Sequence, residues 1–302
     1  MSLAAARALA GNPLPELDGR RFAAILGESP SKGARSPALW NAAFAAHGLP
    51  SQMIPIDTSV ERLTAMLEAL DAEPAFLGGA VAVPHKDAIA RWLGARAEPA
   101  AARIGAVNCL YRGRDGRLAG TNTDGEGAVS SFEARFGPLS GRAVVLLGLG
   151  GAGKAVAAYF AAAVGPQGRL TAVTRSPAGR ETAARLGAAW APWENLASVL
   201  PGASVLVQCT SVGFGAKAAQ SPLTDAELAL LPAGAKVFDI VYQPSPTALL
   251  AKAAARGLET LDGAGMNLEQ AVLGYARAAD EPAGRAATRA AMEAAKKALD
   301  AR

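Results

Sequence analysis

The chain of 302 residues is long enough for two domains, and with 51% hydrophobic and 19% charged residues it can bury a sizeable core, which excludes a disordered or low-complexity arm. Lys and Arg number 30 against 26 Asp and Glu, a formal net charge of +4, and the basic residues are scattered rather than gathered in a run, so no nucleic-acid partner is expected. Two cysteines, Cys109 and Cys209, and two histidines, His47 and His85, argue against a disulfide framework, a cysteine-based zinc site and an HExxH metal centre.

Arg7 interrupts the N-terminal apolar run too early for a signal peptide, and the expected location is cytoplasmic. Residues 21–26 predict a strand. Ser36-Pro37 then opens a helix that runs to residue 48, with Ser36 as its N-cap and Pro37 at the first helical position, where the missing N–H has no partner to lose. A strand at 52–56, a helix at 60–70 and an apolar run at 75–83, stopped by Pro84, follow. Residues 106–111 and 117–120, separated by Arg-Gly-Arg-Asp-Gly, read as a hairpin. From residue 143 the alternation becomes regular, with strands at 143–147, 170–174, 205–209 and 237–240, a helix at 152–164 and helical segments between the other strands. That is the pattern of a parallel, doubly wound sheet. The apolar stretch 143–165 is broken by Lys154 and by glycines, so it does not predict a membrane span. Past Leu261 the chain turns helical, and the alanine-rich segment 283–301 carries no strand signal.

Gly148-Leu149-Gly150-Gly151-Ala152-Gly153 follows the first of these regular strands at once and opens the helix after it. Glycines so spaced make a tight turn, let backbone approach a pyrophosphate, and pack helix closely on strand, with the phosphates at the positive helix end. The expected cofactor contacts are therefore Gly148, Gly150, Gly151, Ala152 and Gly153. The next strand ends at Thr174-Arg175-Ser176, where an NAD-specific site carries an acid for the ribose 2′-hydroxyl. No acid stands there. Arg175, with Arg180 nearby, can pair with a 2′-phosphate, and Thr174 and Ser176 can add hydrogen bonds, so NADP is the expected cofactor.

Two further segments carry polar groups: Pro84-His85-Lys86 after the apolar run, and Gly120-Thr121-Asn122-Thr123-Asp124-Gly125 after the hairpin. Taken alone, Lys86 reads as a surface lysine beginning a helix, Asp124 as a turn or capping residue, and His85 as a packing or surface residue. Other segments stand in a fixed order along the chain: Gly27 with Ser36-Pro37 and Asn41, the block 81–86, Gly105-Ala106-Val107-Asn108, Asn122-Thr123-Asp124-Gly125, and the glycine turn. They are followed by Thr210-Ser211-Val212-Gly213, Asp239-Ile240-Val241-Tyr242 with Pro244, and Asp262-Gly263 with Met266 and Gln270. This ordered set resembles the shikimate dehydrogenase family over nearly the whole chain.

The resemblance implies an α/β fold with an N-terminal α/β substrate domain, residues 1–123 completed by helices in 264–302, and a Rossmann-like NADP-binding domain at 124–263. It implies NADP-dependent, reversible reduction of a ring ketone, 3-dehydroshikimate, to the alcohol. Lys86 matches the proton donor and Asp124 its partner across the substrate. Ser36 matches a contact to the substrate carboxylate, Asn108 and Gln270 contacts to its hydroxyls, and Tyr242 a position near substrate and nicotinamide. Thr210 and Gly263 match positions on the cofactor side. A small-molecule substrate, no membrane partner and a monomer or homodimer are expected.

The chain also departs from the family. Ala34-Arg35-Ser36-Pro37 replaces Ser-x-Ser-Pro one residue further from Gly27 than usual, and Ala80-Val81-Ala82 replaces Asn-Val-Thr. Lys32 or Arg35 is a candidate replacement for the missing carboxylate contact. Gln208-Cys209-Thr210-Ser211 replaces Asn-Ala-Thr-Ser, a milder change. A site built to bond hydroxyls discriminates strongly, because mismatched polar groups stay unpaired. Three lost polar groups therefore predict a shifted preference among shikimate, quinate and related cyclic hydroxy acids. The alternative reading is an NADP(H)-binding paralogue without dehydrogenase turnover.

Overall fold

Apolar runs long enough to be covered on both faces build two separate sheets. In the computed structural model, which describes residues 4–301, the chain divides into two units, Met1–Thr123 with Gln270–Arg302 and Asp124–Glu269.

In the first unit β1 (Phe22–Gly27) is buried at all six positions and lies parallel between β2 (Gln52–Asp57) and β3 (Phe76–Val81), as a strand covered on both faces must be. β4 (Cys109–Arg112) and β5 (Leu118–Thr121) extend the sheet antiparallel, in the order β2-β1-β3-β4-β5. β3 holds an irregularity that periodicity does not show: Phe22 faces Phe76 but Ala23 faces Gly78, so Leu77 is skipped. At Gly78 and Gly79 a Cβ would stand 2.2 Å from the Leu110 carbonyl oxygen and 2.0 Å from the Ala24 carbonyl oxygen, so neither position admits a side chain. The helices here are α1 (Ala4–Leu9), α2 (Ser36–Ala46), α3 (Leu63–Asp71), α4 (Lys86–Leu93) and α5 (Pro99–Ile104). The expected cap at Ser36 is corrected: α2 starts at Ser36 itself, with Arg35 in the cap position and no side-chain capping bond. The Ser36 hydroxyl is thus not spent on the helix end.

The second unit runs α6 (Asp124–Phe136), β6 (Ala143–Leu147), α7 (Gly151–Val164), β7 (Arg169–Thr174), α8 (Gly179–Leu186), β8 (Ala189–Pro192), α9 (Leu196–Val199), β9 (Val205–Gln208), α10 (Asp225–Leu228), β10 (Lys236–Asp239), α11 (Ala248–Ala255) and β11 (Glu259–Leu261). Its strands are all parallel, in the order β11-β10-β9-β6-β7-β8. The chain therefore lays β6, β7 and β8 outward in one direction, returns to the far side of β6 with β9, and continues to β11, which is the doubly wound arrangement. β8 and β11 were not expected. Both are short edge strands whose first residues, Ala189 and Glu259, are exposed. Leu147, Val173, Leu206 and Val237 meet in the core of this unit, and Phe132, Phe160 and Phe238 form an aromatic group within it.

α12 (Ala264–Ala278) and α13 (Arg285–Asp300) complete the chain. The division between units falls after Glu269, within α12 and beyond the expected boundary at 263. Tyr275 explains why the rest of α12 belongs to the first unit: its ring packs edge-on to Trp40 at 5.3 Å and tilted against Phe44 at 5.1 Å, both on α2. α13 also packs on α2, and there the buried Arg35 guanidinium pairs with Asp300. Arg35 is therefore a clamp for α13, which corrects its candidacy as a carboxylate ligand. Among the described residues, no helix is long and apolar enough to cross a membrane.

Candidate active site

In the first unit the end of β3 is pinned on both sides, by Val81 N–H to the Asn108 carbonyl and by Ala82 N–H to the Leu26 carbonyl, each 2.7 Å. The chain then passes a cis Val83–Pro84 bond and enters α4 with Lys86 as its first residue. His85, just before it, is buried, and its Nε2–H donates to the Thr58 carbonyl at 2.7 Å; it packs, as one of its sequence readings has it. The Lys86 carbonyl accepts Val107 N–H at 3.0 Å, which brings the half-buried lysine beside Asn108.

Asn108 is the centre of the polar cluster. Its Oδ1 accepts Thr123 N–H at 2.8 Å, and its Nδ2 donates to Thr123 Oγ1 at 3.0 Å and to Gln270 Oε1 at 3.4 Å. Thr123 Oγ1 in turn donates to the Gln270 carbonyl at 3.0 Å. A buried amide with both ends bonded has one orientation only. The structure thus brings together Asn108, Gln270 and the backbone of Lys86. Ser36, buried at the start of α2 in the same unit, takes no part in this network. Ala34, Ala80 and Ala82 are half-buried, and Ala82 Cβ lies 3.0 Å from where a Cβ on Gly27 would stand, so the ends of β1 and β3 meet as an apolar contact.

Asp124 follows Thr123 directly and is the first residue of both α6 and the second unit. It is buried, in the first helical turn, where unpaired N–H groups favour a carboxylate.

The glycine turn of the second unit shows which of its glycines the fold needs. Gly148 has φ 89°, and a Cβ at Gly153 would stand 2.3 Å from the Gly148 carbonyl oxygen, so both are required by the turn and by helix packing. Gly150 differs. It has ordinary extended backbone, and a Cβ there would meet nothing within 4 Å. The space above the N-terminus of α7, where Gly151, Ala152 and Gly153 present N–H groups outside the helical ladder, is therefore open at Gly150, and this cradle fits a dinucleotide pyrophosphate.

At the end of β7, Arg175 and Ser176 are exposed. Thr174 is not available as a donor: its hydroxyl proton goes to the Ser176 carbonyl at 2.8 Å, and its oxygen accepts the Trp190 indole N–H at 2.9 Å. It shapes the turn through these two bonds. Arg180 lies over the Trp190 ring, 5.3 Å from its centroid.

On the other flank, fully buried Gln208 staples the loop after β9, donating to Thr210 Oγ1 at 2.9 Å and to the Val212 carbonyl at 2.8 Å while accepting Thr210 N–H at 3.0 Å. In the sequence Gln208 stands out only as a family departure; its amide is fully used, as a structural staple. Gly263 lies so close to Ile240 that a Cβ would stand 1.9 Å from the Ile240 carbonyl oxygen. Half-buried Tyr242 sits in the segment that Asp239 organises, for the buried Asp239 carboxylate accepts Val241 N–H at 3.0 Å and Thr247 Oγ1–H at 2.8 Å. Burial holds the neighbouring Cys209 thiol well above its usual range, so it is inert.

Burial likewise pushes Asp239 up to about 6, against the lowering effect of its two hydrogen bonds. Because the folded value lies above that of the unfolded chain, the folded protein binds this proton more tightly, and the contribution favours folding at low pH. It is lost as pH rises from about 4 through about 6. Above that range the charged group costs about 3 kcal/mol relative to its neutral form. Asp239→Asn, which keeps the shape and can accept from Val241, is expected to flatten this slope. In urea unfolding the variant should gain on the parent between pH 4 and pH 7, and parallel profiles would contradict the account.

These features define a class: an α/β protein with a doubly wound dinucleotide-type unit and a second α/β unit that carries a buried amide cluster beside a lysine. The family model for the shikimate dehydrogenase substrate binding domain matches residues 26–110. A shikimate dehydrogenase (NADP(+)) of Methylobacterium radiotolerans is 39% identical over 256 residues, covering 82% of this chain and 87% of that one. One from Thermosynechococcus vestitus is 33% identical over 292 residues, covering 93% and 98%. The crystal structure of shikimate 5-dehydrogenase from Thermus thermophilus, in complex with NADP(H) and shikimate, superposes with a TM-score of 0.75 at 31% identity, covering 91% of this chain and 99% of that one. The chain belongs to the shikimate dehydrogenase family.

Proposed function

We propose that this protein is an NADP-dependent dehydrogenase that reversibly reduces 3-dehydroshikimate to shikimate, or a closely related cyclic keto acid to its alcohol. The observation that carries this reading is the bonded cluster of Asn108, Thr123 and Gln270, set beside Lys86 through the Val107 N–H to Lys86 carbonyl bond. NADP(H), held by Gly148, Gly150, Gly151, Ala152 and Gly153 with Thr210 and Gly263 alongside, supplies the hydride that adds to or leaves the carbon bearing the substrate oxygen. Lys86 donates the proton to that oxygen and stabilises its developing charge, and takes the proton back in the reverse direction. Asp124 is its carboxylate partner. Asn108, Gln270, Ser36 and Tyr242 hold the substrate's hydroxyl and carboxylate groups. The family relationship supports this over an NADP(H)-binding protein without turnover. We place the activity in the cytoplasm, in a monomer or homodimer.

Ala34, Ala80 and Ala82 favour a substrate preference that differs from that of shikimate-only enzymes. The test follows nicotinamide absorbance with shikimate, quinate and other cyclic hydroxy acids, in both cofactor forms. Turnover of one or more with NADP supports the reading; tight NADPH binding with no turnover of any of them contradicts it. Arg175, exposed at the end of β7, is the proposed 2′-phosphate ligand. Arg175→Ala is expected to weaken NADPH by about ten- to a hundredfold, as a lost charge-assisted hydrogen bond does, and to leave NADH nearly unchanged. Equal losses in titrations with the two cofactors would contradict that assignment.

A further inference from the structure

Phe214 is 54% exposed, one of a few large apolar side chains left open among the described residues. Its exposure does not come from a loose chain. Phe214 sits between Gly213 at φ 95° and Gly215 at φ 56°. Its carbonyl accepts Lys217 N–H at 3.0 Å, and Gly213 N–H bonds the Lys217 carbonyl at 3.1 Å. The loop is rooted in the buried Gln208 staple. An ordered loop therefore holds an aromatic ring out of the core, where an apolar surface gains by being covered.

The topology says what lies beside it. In the sheet β9 neighbours β6, while β6 leads in the chain to β7 on its other side. The loops after β6 and β9 thus flank the point where strand order reverses, which is where doubly wound sheets take their ligands. These two loops touch: a Cβ on Gly148 would stand 2.8 Å from Thr210 Cγ2. A dinucleotide with its pyrophosphate at Gly150 has its adenosine ribose at the end of β7, by Arg175, and must run the other way with its second ring, toward the loop after β9.

Resting on the NADP-dependent reading above, we infer that Phe214 is an apolar wall for the nicotinamide ring, a positioning residue for the ring that carries the hydride. The test is calorimetric titration of the full-length protein and its Phe214→Ala variant with NADP+ and with 2′-phosphoadenosine 5′-diphosphoribose, which shares every part of NADP+ except nicotinamide. The variant is expected to lose about tenfold in affinity for NADP+, the size of a good ring contact, and to keep its affinity for the fragment. Phe214→Tyr should restore NADP+ binding. Equal losses for the two ligands, or no loss for NADP+, would overturn the assignment with the NADP-dependent reading intact. Failure of the parent to bind NADP+ at all would overturn both.

Discussion

Replacing Lys86 by alanine is expected to lower kcat by about 10³- to 10⁴-fold while the NADPH dissociation constant stays as it was, the upper part of the range for loss of a positioned general acid. The variant should fold, because Lys86 is half-buried and the bond from Val107 N–H to its carbonyl involves backbone alone. Hydride addition to a carbonyl leaves negative charge on oxygen, and without an ammonium that charge has neither a stabilising cation nor a proton source. Steady-state rates paired with a fluorescence titration of NADPH separate the two effects. A kcat close to that of the parent would remove Lys86 from the chemistry.

Gly150→Val is the second large effect, and it arises from space rather than from backbone strain. Gly150 occupies backbone that any residue adopts, and nothing stands within 4 Å of a Cβ placed there. Valine should be tolerated by the fold at about 1 kcal/mol, the difference between a good and a poor helix cap. It fills the cradle proposed for the pyrophosphate, so NADPH affinity is expected to fall by at least about a hundredfold through loss of charge-assisted backbone hydrogen bonds. Gly153→Ala should do the reverse damage, because its Cβ meets the Gly148 carbonyl oxygen at 2.3 Å and forces the turn apart. Thermal unfolding alongside titration distinguishes them: near-parental stability with lost binding for Gly150→Val, and lost stability for Gly153→Ala. Unimpaired NADPH binding by Gly150→Val would contradict the placement of the cofactor.

The strands at the centre of each sheet were legible in sequence because buried strands read as continuous apolar runs; β6 (Ala143–Leu147) agrees residue for residue. β8 and β11 were not legible. Short edge strands are set by pairing to a neighbour, as Ala189 with Thr171 and Glu259 with Lys236 are, and carry little pattern of their own. Ser36 illustrates a different limit. Serine before proline suits a cap, yet Arg35 already has helical backbone and α2 starts one residue earlier, while the partner of the buried Arg35 side chain, Asp300, lies far off in the sequence. The bond from the Trp190 indole N–H to the Thr174 hydroxyl was not legible either, because Trp190 lies on β8, a strand that periodicity does not show. The glycine turn was readable because its chemistry is local. Family resemblance singled out Asn108 and Gln270 one by one, but their bonding to each other and to Thr123 was not legible, since it joins residues 108, 123 and 270. Phe214 had no signal beyond its place after Gly213 until the strand order showed which loops flank the reversal.

The central claim, that this protein moves a hydride between a nicotinamide and a ring carbon, is tested most directly by running the reduction of 3-dehydroshikimate with NADPH deuterated at both nicotinamide C4 positions. The account predicts one deuterium per product molecule, on the carbon that carries the new hydroxyl. Product alcohol without deuterium at that carbon, or no product from 3-dehydroshikimate or any related cyclic keto acid when the cofactor is bound, would contradict it.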